Sequence, residues 1–113
     1  MRGNKSREEY VFSLRQHAVM LAKGILSGEI PVLDGSHWLS ALHHDVDVEE
    51  NDPDFLTFDA ISSEIDALPI GAIREYWAPE ALAKIEPEIQ SAIAWATPLA
   101  IPACQSLVSR FGA

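Results

Sequence analysis

The 113 residues allow one domain, and a 48% apolar share is enough for a single core of modest stability. One cysteine, Cys104, excludes an internal disulfide and any Cys-x-x-Cys pair; no stretch reads as a secretory signal or a bilayer span, so a cytoplasmic protein is expected. The formal charge of −9 is unevenly spread, with no lysine or arginine anywhere in residues 24–73, a field that repels nucleic acid and anionic membranes and attracts cationic surfaces.

Residues 1–5 read as an unstructured tail, and Ser6-Arg7-Glu8-Glu9 has the form of a capping box that opens a helix over about residues 7–27. Its apolar stripe is Tyr10, Val11, Leu14, Ala18, Leu21, Ala22, Ile25 and Leu26, with His17 at the border and Ser27-Gly28 as the stop. Ile30-Pro31 forces an extended link. Asp34-Gly35-Ser36 offers caps for a short second helix whose Trp38, Leu39, Leu42 and Val46 face the core.

An acidic loop follows. Asp52-Pro53-Asp54 then places a capping carboxylate, a first-turn proline and a second acid at a new helix start. Phe55, Phe58, Ile61, Ile65 and Leu68 recur at three- and four-residue steps, which favours a helix, although FLTFDAI has strand propensity. Leu68-Pro69-Ile70-Gly71 breaks the pattern, and residues 72–77 make at most one or two turns. Ala78-Pro79-Glu80 starts another helix, which Pro87 either kinks or divides.

Ile89, Ile93, Ala96, Ala100, Ala103, Leu107 and Phe111 then share one face of a final long helix. Pro98 and Pro102 fall on the other face, so the helix should bend around the bundle, or break near residue 98. Cys104 reads as a buried core residue. The expected architecture is mainly α: a compact single-domain bundle of about four to five helices.

Two places hold candidate chemistry. His37, His43, His44, Asp45 and Asp47 are suitable ligand types for a transition metal, but the helical spacing is poor, and His44 with Asp47 works only if the helix continues past Val46. A calcium loop fails, since Glu50 and Leu56 stand where an EF-hand needs glycine and glutamate. The second place is a polar corner of Ser63, Glu64, Asp66 and Arg74. Arg74 is the one base between Lys23 and Lys84 and the natural partner of Glu64 or Asp66, while Arg74, Tyr76 and Trp77 form a patch of the type that anchors interfaces. No nucleophile constellation or phosphate loop stands out, and no cofactor is expected.

The string SSEIDALPIGAIREYWAPEAL, with GILSGEIPVLDG and IPACQSLVSRF, resembles a group of small, functionally uncharacterised bacterial proteins. The shared pattern falls on Ser63, Glu64, Asp66, Leu68, Pro69, Gly71, Arg74 and Trp77. This chain departs from it in having Ile65 where the group has threonine, and His37 where it has a basic residue. The resemblance implies a small helical bacterial protein and brings no activity with it.

The residues favour a binding protein over an enzyme: a small acidic inhibitor or immunity protein whose Asp45, Asp47, Glu49, Glu50, Asp52 and Asp54 meet a basic partner, such as a toxin, with Trp77 or Trp38 as an anchor. One alternative is a metal-dependent enzyme or ligand-binding domain using the histidine cluster or the Glu64, Asp66 and Arg74 corner. Another is a structural homodimer through the small alanine faces of the last helix.

Overall fold

The computed structural model describes residues 2–112, with side chains from Ser6 onward, so the side chains of the expected tail lie outside the described residues. Among the described residues there are four α-helices and no strand: α1 (Arg2–Ser27), α2 (Val32–Ala41), α3 (Pro53–Glu64) and α4 (Pro79–Phe111), with a 3-10 helix at Gly71–Tyr76 before α4. The mainly α bundle expected from periodicity is the observed one, and FLTFDAI is helical.

Several boundaries move. Because α1 begins at Arg2, Ser6 lies inside it and the Ser6/Glu9 box does not form its cap. α2 starts at Val32 behind an extended Pro31 (φ −57°, ψ 139°), so Asp34 sits in its first turn and Gly35 and Ser36 are buried within it. Gly35 is buried against α1: a Cβ there would lie 2.5 Å from Ile25 Cδ1, so glycine lets the two helices approach this closely. α3 begins as its residues dictate, with Asp52 accepting from the Phe55 amide at 3.2 Å and Pro53 at the first helical position.

α4 runs unbroken through Pro87, Pro98 and Pro102, all three exposed. Each proline removes an intrahelical hydrogen bond on the solvent side, where water can satisfy the freed carbonyl. No charged residue occurs between Glu88 and Arg110, and α4 is long and apolar enough to cross a membrane by length and composition, which corrects the expectation that no such stretch exists. In the bundle this composition supplies core: Ile89, Ala96, Ala100, Ala103, Cys104 and Leu107 are buried, facing Leu21, Ala22 and Ile25 of α1 and Phe55, Phe58 and Ile61 of α3. Full burial of side chains such as Phe58 and Leu107 contributes about 1.5–3 kcal/mol each.

α1 and α4 are antiparallel: Gln16 Nε2 donates to the Phe111 carbonyl at 3.3 Å, while Pro31, just after α1, shares a pocket with Ile89 and Ile93 in the first half of α4. The first turns of α1 therefore overhang the end of α4. This corrects Tyr10, which belongs to the periodic stripe yet is exposed, and it leaves Phe12 uncovered at 64% exposure. Trp38, expected in the core, is also 46% exposed, because Leu39 beside it takes the buried position.

Candidate functional site

α2 ends at Ala41, and tight turns carry the chain through residues 42–47, where Asp47 adopts a left-handed φ of 59°. Aspartate accepts that conformation more readily than a branched residue would. The turns swing His43 inward and leave the following carboxylates outside. His43 is 2% exposed, its ring lying between His44 (centroids 4.8 Å apart) and Phe55 (5.3 Å).

Both nitrogens of His43 meet acceptors. Nδ1 lies 2.7 Å from Asp59 Oδ2 and Nε2 3.3 Å from the Glu49 carbonyl oxygen, an arrangement in which a protonated ring donates on both sides. Burial alone would lower the imidazole pKa, but the Asp59 and Glu49 hydrogen bonds with the charges of Asp59 and Asp52 outweigh it and raise the value above the usual one. Ser40 Oγ donates 2.7 Å to the other oxygen of Asp59, and His37 Nδ1 lies 3.0 Å from Ser62 Oγ further along the α2/α3 seam. Chemically, this set clamps the base of the acidic loop to α3.

Arg15 grips the same loop from α1. Its Nε donates to the Val46 carbonyl at 2.7 Å and its Nη2 to the Asp47 carbonyl at 2.8 Å. Arg110 closes the far side, with Nη2 to Asp52 Oδ1 at 2.7 Å and Nη1 to Asp52 Oδ2 at 3.0 Å and to Asp54 Oδ2 at 2.7 Å. Ser106 adds a 2.6 Å bond to Asp54. Both guanidinium groups stack on the Phe111 ring, at 4.8 and 4.9 Å. Burial would raise the Asp52 pKa, but Arg110 and the amides of Phe55 and Asp54 hold it below the usual range.

The six carboxylates expected to meet a partner therefore divide. Asp45, Asp47, Glu49 and Glu50 are exposed, whereas Asp52 and Asp54 share Arg110 and are turned into the protein. Trp77 belongs to another surface: it caps the 3-10 helix just before the start of α4, whereas the loop is held by Arg110 at the other end of α4. An exposed aromatic beside the loop is Phe12, which with Arg7, Glu8, Val11, Arg15 and Asp47 lines a crevice of about 220 Å³. Its sequence signal was its position: a large apolar residue off the core stripe of its helix.

The metal set is not assembled. Among the described residues no three His, Cys, Asp or Glu side chains come together to hold an ion; His37 is on α2 bonded to Ser62, both His43 nitrogens are taken, and α2 stops before Val46. The polar corner is not assembled either. Arg74 turns to Glu86, 3.6 Å away, instead of Glu64 or Asp66, because the 3-10 helix lays it against the first turns of α4. Glu64 lines an open groove with Glu88, Ser91 and Trp95, while Ser63 and Asp66 face solvent. Asp59 is the residue that sequence reasoning missed: it follows core Phe58 directly, a border position that faces the neighbouring helix.

No protein-family model matches the chain, and no curated protein and no solved structure matches it at a significant level.

Proposed function

We propose that this chain is a small acidic binding protein of the inhibitor or immunity kind, acting in the cytoplasm, that masks a basic surface on a protein partner. One observation carries the reading: the loop displays Asp45, Asp47, Glu49 and Glu50 outward while its backbone is held from behind by Arg15 and His43, with Phe12 uncovered beside it. A braced loop loses little conformational freedom on association, so its charges act both in steering and in the bound state. Phe12 supplies the apolar contact that an acidic surface lacks by itself. The group of small bacterial proteins that residues 63–77 resemble is compatible with this role and assigns no other.

Co-expression with the product of the neighbouring reading frame tests the proposal. A stable complex that weakens with salt, together with relief of any toxicity of that product, is the expected result. A partner held equally well by the D47N/E49Q/E50Q and F12S variants would remove this surface from the interface.

A further inference from the structure

We propose that the cavity between the start of α2, the 3-10 helix and the middle of α4 binds a free aliphatic α-amino acid. This site is separate from the acidic loop and does not rest on the function proposed above. The cavity measures about 370 Å³, within the range of small-ligand pockets, and its walls are largely aliphatic: Val32 and Leu33 from α2, Ile70 before the 3-10 helix, and Ile89 and Ile93 from α4. Two charged groups of opposite sign, Asp34 and Arg74, complete the lining.

These two groups are not in contact. Among the described residues Asp34 forms no ion pair within 4.0 Å, and Arg74 reaches only Glu86, at 3.6 Å, with both of those side chains more than 40% exposed and free to turn. Gly71, at a left-handed φ of 66°, lies beside the carboxylate: a Cβ there would be in ordinary contact with Asp34 Oδ2, at 3.6 Å. Half-buried and without a hydrogen-bonding side chain, Asp34 has no cation in direct contact. Burial raises its pKa, with its own backbone amide, Arg74 and His37 acting in the opposite direction.

A complementary ligand carries an ammonium for Asp34, a carboxylate for Arg74 and a branched aliphatic body for the isoleucines. An α-amino acid carries its two opposite charges a few ångströms apart, which suits a carboxylate and a guanidinium that line one cavity without touching. Its carboxylate would accept the planar donor fork of Arg74. Leucine, isoleucine or valine fits within the volume with room for water. A ligand of this size and polarity is expected to bind in the micromolar to millimolar range.

Titration calorimetry and amide chemical shifts on the full chain would test this with leucine, isopentylamine (no carboxylate) and 4-methylpentanoate (no amine). Leucine should bind saturably, with each truncated probe at least about tenfold weaker. Asp34→Asn should weaken leucine and the amine by a similar factor while leaving the acid unchanged, and Arg74→Gln should do the reverse. Retained melting temperatures will show that both variants fold; Arg74 is exposed enough that its replacement tests the site even where the Asp34 variant is destabilised. The D47N/E49Q/E50Q variant should bind leucine normally. Absence of saturable leucine binding in the wild type would overturn the proposal, as would leucine affinity unchanged in both site variants, or 4-methylpentanoate binding as tightly as leucine.

Discussion

His43 on the turn after α2 and Asp59 on α3 are joined by a 2.7 Å hydrogen bond at a point where the histidine is almost wholly buried, and this pair fixes where the acidic loop begins. Because the folded state raises the His43 pKa, the pair contributes stability fully below the ordinary histidine value of 6.5 and loses it as pH rises through the higher folded value. Urea unfolding measured from pH 6 to pH 9 should therefore show falling stability across that interval. His43→Phe should flatten this limb and cost about 2–3 kcal/mol at pH 6. An unchanged slope would show that the ring is neutral in the folded protein.

The Arg110 clamp predicts the opposite pH dependence. Asp52 has a lowered folded pKa, so its contribution is present above the ordinary 3.8 and disappears as pH falls through the depressed value. Arg110→Met should cost about 2 kcal/mol, between the values for exposed and buried ion pairs, since Arg110 is partly exposed and Asp52 is not. Acid unfolding of that variant, followed by circular dichroism, should shift to higher pH.

Glycine-to-alanine changes within helices usually stabilise by up to about 1 kcal/mol. Gly35→Ala should instead destabilise by about 1–2 kcal/mol, because the new methyl would meet Ile25 Cδ1 at 2.5 Å and Ile30 Cγ2 at 3.1 Å in a packed interface. Ile25→Ala, which removes both Cδ1 and the Cγ1 that would lie 2.6 Å from the new methyl, should cost less in the Gly35→Ala background than in the wild type. A double-mutant cycle on thermal melts measures the coupling.

Cys104 is buried on α4, and burial, with a smaller effect from the Asp54 charge, pushes its thiol pKa up to about 12. It should resist a thiol-disulfide reagent at pH 8 in the native protein and react fully once unfolded. Native labelling at the rate of a free thiol would mean that α4 opens locally.

The helices were legible in the residues where local chemistry alone decides. Asp52-Pro53 starts α3, and the spacing of Ile89, Ala96, Ala100, Ala103 and Leu107 defines the buried face of α4 across two prolines. What escaped depended on neighbours distant in sequence. Periodicity puts Tyr10 on an apolar face, but only the end of α4 at Phe111 determines that nothing covers it. Arg74 has acids nearby in sequence, yet the 3-10 helix carries it to Glu86. Helical spacing sets His43 and His44 about 100° apart on one helix, whereas α2 ends at Ala41 and a tight turn sends one ring inward and leaves the other outside. The base-free acidic block could be read directly, but not that Arg15 and Arg110, from either end of the chain, hold it in place.

The most direct measurement for the proposed role is the affinity of the co-expressed partner for wild type and for D47N/E49Q/E50Q over a range of ionic strength. These substitutions leave the clamped Asp52 and Asp54 in place, and asparagine at position 47 tolerates the left-handed backbone found there. The wild-type affinity should fall steeply with salt, and the variant should bind at least about tenfold more weakly at low salt with a shallower dependence. Equal affinities and parallel salt slopes for the two proteins would contradict a binding role for the acidic loop.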